Sequence, residues 1–98
     1  RCNVHADDLV EAMLCYMSKP TPGEVYNIGG RGLDCSILEA IDECEERCGR
    51  KALTEYVPVP RTGDHRWYIG DARKLRVDLG WYPRRSLKSI YDELVEMA

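Results

Sequence analysis

The sequence predicts a small α/β unit of about three short strands and four helices. Extended or alternating character favours strands at residues 3–6, 24–28 and 53–57. Four other segments carry apolar residues at helical spacing. The predicted order is strand, helix, strand, helix, strand, helix, helix. A chain of 98 residues has the length of a single domain with a modest core, so we expect one domain over residues 1–98.

Capping residues predict where the helices begin and end. Asp7 or Asp8 is the expected cap of the first helix, which should end before Pro20 because proline cannot continue it. Ser36 followed by Glu39 matches the capping box, in which each residue satisfies a backbone donor of the other. The other boundaries are marked by terminating glycines and initiating polar residues, namely Gly49, Asp71, Gly80 and Ser86.

Composition excludes several classes of function. With 44% hydrophobic and 32% charged residues, the chain has the balance of a globular protein rather than a disordered one. A net charge of −3 with mixed signs argues against general nucleic-acid binding. No apolar run approaches the roughly 18 residues that span a bilayer. No leader pattern precedes the first helix, so we expect a cytoplasmic protein that binds no membrane.

The cysteines favour reduced thiols over a metal site. Cys44 and Cys48 are spaced to share one helix face and could chelate a metal. No second pair or histidine motif completes such a site, so no metal is expected. We expect free, mostly buried thiols, as in cytoplasmic proteins.

The chain lacks a convincing catalytic constellation, so we predict no catalytic residues. The glycine-rich segment 29–32 fails the dinucleotide fingerprint because Cys35 occupies the third glycine position; a plain glycine-rich connection is the alternative. There is no Tyr-x-x-x-Lys pair. His5 and His65 are the only histidines, and His5 fits packing or hydrogen bonding better than catalysis.

The loop around Arg61 is the strongest candidate site. An arginine fork suits a phosphate, and the nearby Asp64 carboxylate suits a sugar hydroxyl. Gly63 between them would let the backbone approach a ligand closely. The alternative is that Arg61 and Asp64 form a surface pair that braces a turn, which contributes little energy.

Six motifs in register resemble one family. They are Arg1-x-x-Val4-His5-Ala6-Asp7-Asp8-Leu9-Val10, Gly23-Glu24-Val25-Tyr26-Asn27-Ile28-Gly29-Gly30, Ser36-Ile37-Leu38-Glu39, Arg61-Thr62-Gly63-Asp64, Asp71-Ala72-Arg73-Lys74 and Leu79-Gly80-Trp81. Together they resemble the C-terminal part of Rossmann-type extended short-chain dehydrogenase/reductases, the nucleotide-sugar epimerases and dehydratases. The details around residues 35–40 and 63–71 are most similar to CDP-paratose/CDP-tyvelose 2-epimerases.

The resemblance implies roles for particular residues. Arg1 and Arg61 would contact the diphosphate of a nucleoside-diphosphate sugar, and Asp64 would accept a hydrogen bond from a ribose hydroxyl. His65 would lie on the base or ribose side. Six matching positions are assigned to caps, turns and packing, namely Asp8, Asn27, Ser36, Asp71, Gly80 and Trp81.

The resemblance also implies a division of labour in a longer parent. There, an N-terminal Rossmann half would bind NAD and do the hydride chemistry; these 98 residues lack that half and should bind no cofactor alone. The leading hypothesis is therefore the substrate-binding portion of an NAD-dependent nucleotide-sugar epimerase or dehydratase. The alternative is a free-standing, non-catalytic module that binds a nucleotide or pairs with another subunit. Faces left exposed predict a homo-oligomer or other association.

Overall fold

In the computed structural model, which describes residues 1–30 and 32–97, the regular secondary structure is helical. Helix α1 spans Ala6–Ser18, α2 spans Ile37–Cys48, α3 spans Arg73–Leu79 and α4 spans Leu87–Met97. The four helices expected from the sequence are confirmed. The predicted α/β class is wrong, because no strand forms within the described ranges and the β pairing there is an isolated antiparallel bridge between Cys2 and Asp34.

The missing strands have a physical cause. A strand exists only when a neighbour completes its ladder of backbone hydrogen bonds. In segment 24–28, Tyr26 and Ile28 pack against the core while Val25 is exposed. No ladder pairs that backbone among the described residues. In segment 53–57, the Leu53 side chain is fully exposed, so alternation there has no core to face.

The capping predictions are confirmed at α2 and corrected at α1. Ser36 accepts from the Glu39 backbone N–H at 3.1 Å, and the Glu39 side chain accepts from the Ser36 N–H at 3.0 Å. Gly49 ends that helix in the left-handed region, at φ 67°. At α1, neither aspartate is the cap. His5 caps that helix, its Nδ1 accepting from the Asp7 N–H at 3.0 Å.

The boundaries of the two C-terminal helices are close to those expected. Asp71 Oδ1 accepts from the Arg73 N–H at 3.0 Å, one position ahead of the N-cap residue Ala72. Gly80 ends α3 at φ 72°. Ser86 Oγ accepts from the Ser89 N–H at 3.2 Å at the start of α4.

The core is small and lies beside a buried carboxylate. Ala12, Leu75 and Trp81 form the buried apolar cluster. Asp8, four residues before Ala12 on α1, is fully buried. Its backbone carbonyl accepts from Trp81 Nε1 at 2.8 Å. Its Oδ1 accepts from Arg85 Nη1 at 2.7 Å. This arrangement fastens the start of α1 to the segment between α3 and α4.

A second contact joins α2 to α4 through Arg47. Its Nε donates to Asp92 at 2.7 Å, another nitrogen pairs with Glu43, and its guanidinium lies 5.7 Å from the centroid of the Tyr91 ring. The Tyr91 hydroxyl lies 3.1 Å from the sulfur of Cys35. Burial first, and then the contact with that sulfur, raises the pKa of Tyr91 to about 12.

The molecule is flat and leaves an apolar helix face uncovered. Its extents are 46 × 34 × 19 Å, and its radius of gyration is 16.2 Å, against about 13 Å for a compact domain of 100 residues. The accessible surface is 8125 Å², compared with about 5,700 Å² for a globular monomer of this size. The α1 apolar face, defined by exposed residues at helical spacing, contributes to this excess; it comprises Leu9, Val10, Met13, Leu14 and Met17.

Candidate functional site

Two arginines from opposite ends of the sequence converge on one carboxylate. Arg1 donates from Nη2 to Asp64 Oδ1 at 2.7 Å, and Arg61 donates from Nη2 to Asp64 Oδ2 at 3.2 Å. Arg61 Nε also approaches Oδ2, at 3.4 Å. We call these three residues the arginine pair and its carboxylate. The structure thus places side by side the residues that the sequence assigned to a diphosphate and a ribose.

Backbone contacts position Arg1 within this cluster. Its Nη1 donates to the His65 carbonyl oxygen at 3.1 Å, and its terminal amino group donates to the Cys35 carbonyl oxygen at 3.1 Å. The Cys35 N–H donates in return to the Arg1 carbonyl oxygen at 2.9 Å. The β bridge between Cys2 and Asp34 and these bonds hold the Arg1 backbone beside Cys35, and the Arg1 side chain reaches the loop of Asp64.

The electrostatics of the cluster keep Asp64 ionised. The Arg61 guanidinium, by hydrogen bonding and charge, and the Arg1 guanidinium hold the pKa of Asp64 below its usual value. The side chains of Arg1 and Arg61 are 46% and 84% exposed, so both charges are open to an incoming anion. Two cations and one anion leave the cluster with a surplus positive charge, which suits a phosphate group.

His65 belongs to the same loop through its backbone. Its ring lies 5.8 Å from that of Tyr68, centroid to centroid, at an angle of 46°. Both residues are exposed and follow Arg61 and Asp64 in the sequence, and their flat rings could stack on a nucleobase. The expectation that His65 lies on the base or ribose side remains a prediction.

His5, the other histidine, has a structural role. Because Nδ1 accepts from the α1 backbone, Nε2 carries the proton and donates to Glu93 Oε2 at 2.7 Å. The His5 side chain is 12% exposed, with both nitrogens engaged. The packing interpretation of this residue therefore holds. The signal that sequence reasoning missed was its position as a cap, one residue before α1.

The glycine-rich segment does not have the geometry of a dinucleotide phosphate loop. No strand precedes it in the described residues, and Arg31 lies outside them. The glycines instead permit close packing: a Cβ on Gly30 would meet Pro83 Cγ at 2.6 Å, and one on Gly29 would meet the Gly70 Cα at 3.1 Å. At the start of α2, the capping box engages the Ser36 and Glu39 N–H groups, two of the backbone donors that a helix end would offer a phosphate. The residues here do not fit a bound NAD.

An open cleft of about 640 Å³ lies where this glycine segment meets the turn into α3. Its basic residues already have partners: Arg73 pairs with Asp71 at 2.7 Å, and Arg76 lies 5.6 Å from the centroid of the Tyr82 ring. Trp81, at its edge, belongs to the buried core. These contacts agree with the assignment of Asp71 and Trp81 to structural roles. Asn27 is exposed, and nothing in the structure explains its place in the motif.

The five cysteines are free, as expected, but not all are shielded. Cys44 and Cys48 are exposed on α2, which corrects the expectation of mostly buried thiols. Within residues 1–30 and 32–97, no group of three or more metal-ligating side chains comes together. In the same ranges, no helix has both the length and the apolar character needed to cross a membrane.

Comparison with known proteins finds sequence similarity to part of one kind of enzyme. No protein-family model matches the chain. Curated relatives do match it over 78% to 95% of its length, in alignments of 85 to 101 residues. The chain spans only about a quarter of the length of these relatives, 24% to 27%.

The relatives are named dTDP-glucose 4,6-dehydratase. The protein from Shigella flexneri is 32% identical over 101 residues, covering 95% of this chain and 27% of its own length. That from Xanthomonas campestris pv. campestris is 33% identical over 85 residues, covering 78% and 24%. The dTDP-D-glucose 4,6-dehydratase of Bos taurus is 30% identical over 99 residues, covering 95% and 27%. The similarity supports the broader resemblance, whereas the preference for a CDP-sugar 2-epimerase gains no support.

Proposed function

We propose that this chain is the nucleotide-gripping portion of a dTDP-glucose 4,6-dehydratase-type enzyme. Its task is to hold the diphosphate of a nucleoside-diphosphate sugar with Arg1 and Arg61. The observation that carries the proposal is the convergence of these two arginines on Asp64 from positions far apart in the sequence. The similarity to dTDP-glucose 4,6-dehydratases over 95% of the chain supports it.

The chemistry of the cluster fits a diphosphate better than a single carboxylate ligand. Each guanidinium offers five N–H donors in a planar fork that matches phosphate oxygens. Two guanidinium groups side by side can each bind one phosphate of a diphosphate. His65, whose backbone carbonyl accepts from Arg1, is the residue that the resemblance places on the base or ribose side.

Hydride chemistry is assigned to the part of a dehydratase that this chain does not match. The chain corresponds to about 27% of such an enzyme, the C-terminal part. NAD would be held by the remaining part, and the sugar would be oxidised and rearranged there. We expect no turnover from these 98 residues alone, and we expect the protein to act in the cytoplasm.

Calorimetric titration tests the proposal. Wild-type protein is titrated with dTDP-glucose, dTDP, UDP and CDP at low ionic strength, with Arg61→Ala as the test variant. Arg50→Ala is the matched control, because Arg50 is an exposed arginine just after α2. We expect dTDP-glucose and dTDP to bind to the wild-type protein. Arg61→Ala should reduce their affinity about tenfold or more, because a charged hydrogen bond to the ligand is lost. Equal affinities in the two variants would contradict the assignment of Arg61.

A second function, a subunit-pairing module, is favoured by one observation. The α1 apolar face is exposed, and the molecule has roughly two-fifths more surface than a globular monomer of its size. Contiguous apolar surface of this kind marks association sites. Pairing and nucleotide binding are compatible, because the arginine pair and α1 are separate features. Protein association without any nucleotide binding would leave pairing as the function.

A further inference from the structure

Asp64 occupies a bridging position between two like charges. Its Oδ1 accepts from Arg1 Nη2 at 2.7 Å and its Oδ2 accepts from Arg61 Nη2 at 3.2 Å, so each carboxylate oxygen binds one guanidinium. The side chain is 33% exposed, less than either arginine. The carboxylate therefore lies between the cations rather than beside one of them.

Nothing else in the described residues would hold Arg61 near Arg1. Asp64 is the ion-pair partner that Arg61 has in these ranges, and the Arg61 side chain is 84% exposed. Two guanidinium groups repel each other, and a long exposed side chain gains rotamer entropy when it is released. Without the carboxylate, Arg61 would move away from Arg1.

The bridge leaves most of the hydrogen-bonding capacity of the arginines unused. Arg1 donates to Asp64 and to the His65 carbonyl, and Arg61 directs Nε and Nη2 to one oxygen of Asp64. Since a guanidinium has five N–H groups, about three on each arginine remain for a ligand. The Asp64 carboxylate therefore holds the two guanidinium groups in place and leaves most of their N–H donors available to a ligand.

We propose that Asp64 is a positioning residue, which tethers Arg1 and Arg61 side by side so that they can bind the two phosphates of a diphosphate together. This inference rests on the proposed function and gives Asp64 a role different from that of a ribose acceptor. Preorganised donors lose less entropy when a ligand binds, so the tether increases affinity although it is itself an anion.

Inorganic pyrophosphate separates this role from the others, because it contains no ribose. Removing a negative charge with Asp64→Asn should strengthen pyrophosphate binding if only the net charge matters. If Asp64 positions the arginines, the same change should weaken binding about tenfold, since the forks are no longer preorganised. A ribose acceptor would leave pyrophosphate binding unchanged or strengthened and would weaken dTDP binding only.

The experiment is isothermal titration of pyrophosphate and dTDP into wild type, Asp64→Asn, Asp64→Glu and Asp42→Asn. Asp42 is exposed on α2, so Asp42→Asn is the matched change of charge outside the cluster. We expect weaker pyrophosphate binding in Asp64→Asn, partial recovery in Asp64→Glu, and no weakening in Asp42→Asn. Thermal melts should show the same melting temperature for wild type and Asp64→Asn.

Nitrogen-15 NMR of the Arg61 Nε–H group is the second measurement. In wild type this signal should report a persistent contact with a carboxylate, and in Asp64→Asn it should shift to the position of a solvated arginine. An unchanged signal would overturn the proposal. Pyrophosphate binding that is unchanged or tighter in Asp64→Asn would also overturn it. In either case the proposed function would stand if Arg61→Ala still weakened nucleotide binding. Absence of any binding by wild type would overturn both.

Discussion

Arg85 donates from Nη1 to the carboxylate of Asp8 at 2.7 Å, although 76 residues separate the two. The backbone N–H groups of Arg84 and Arg85 donate to the other oxygen of Asp8, at 3.2 and 3.0 Å. Asp8 is fully buried, and its own carbonyl accepts from Trp81. This carboxylate therefore connects the first helix to the C-terminal segment.

Replacing Asp8 should strongly destabilise the folded protein. In Asp8→Ala, two backbone donors and the Arg85 guanidinium lose their acceptor, and we expect a loss of about 3 kcal/mol in the free energy of unfolding. Urea denaturation followed by circular dichroism measures this. Asp7→Ala is the matched control, because the neighbouring Asp7 is 65% exposed; it should cost less than about 1 kcal/mol. Similar losses in the two variants would contradict the role of Asp8.

The capping box of α2 gives a smaller, local prediction. Ser36→Ala removes the acceptor of the Glu39 N–H and should destabilise the protein by about 1 kcal/mol. The same urea measurement applies. Ser18→Ala is the control, since Ser18 is exposed and its hydroxyl donates to the carbonyl of Leu14 in its own helix; a change within about 0.5 kcal/mol is expected. The prediction fails if Ser36→Ala is as mild as the control.

The raised pKa of Tyr91 should make the free energy of unfolding depend on pH in the alkaline range. Its pKa rises from 10.0 to about 12 on folding, because burial disfavours the phenolate. A folded-state pKa above the unfolded value contributes stability below pH 10, and this contribution is lost as the pH rises towards 12. In Tyr91→Phe, the pH profile of the free energy of unfolding should be flatter in that window, by about 2 kcal/mol. Identical slopes for the two proteins above pH 10 would disprove the shift.

The α1 apolar face predicts self-association of the isolated chain. We expect the mean mass measured by light scattering to rise with concentration, and the double variant Leu14→Glu, Met17→Glu to remain monomeric because charge opposes burial of that face. Val77→Glu is the control: Val77 is 82% exposed on α3, so the change should leave association intact. A wild-type monomer at high concentration would show that the exposed face does not pair with itself.

Features set by neighbouring residues could be predicted from the sequence. The Ser36–Glu39 capping box and the left-handed glycines Gly49 and Gly80 depend on a few adjacent residues, and all three are present as expected. The caps at α1 differed because a histidine can accept a backbone hydrogen bond as an aspartate does, so the pattern alone did not distinguish His5 from Asp7.

Features that need distant partners could not be predicted from the sequence. Tyr26 and Ile28 pack against the core, yet a strand also needs a paired backbone, and none is present for this segment in the described residues. The burial of Asp8 depends on residues 84 and 85 folding back onto α1. For the candidate site, the sequence singled out Arg61 and Asp64 together, and they are in contact, but the position of Asp64 between Arg61 and Arg1 is seen only in three dimensions.

The most direct test of the central claim is NMR mapping of dTDP binding to the nitrogen-15-labelled protein. We expect the largest shift changes at the side-chain Nε–H groups of Arg1 and Arg61 and at the backbone of Asp64 and His65, and we expect them to disappear in Arg61→Ala. Changes confined to other parts of the chain, or no changes at millimolar dTDP, would contradict the assignment of this cluster as the site that holds the nucleotide.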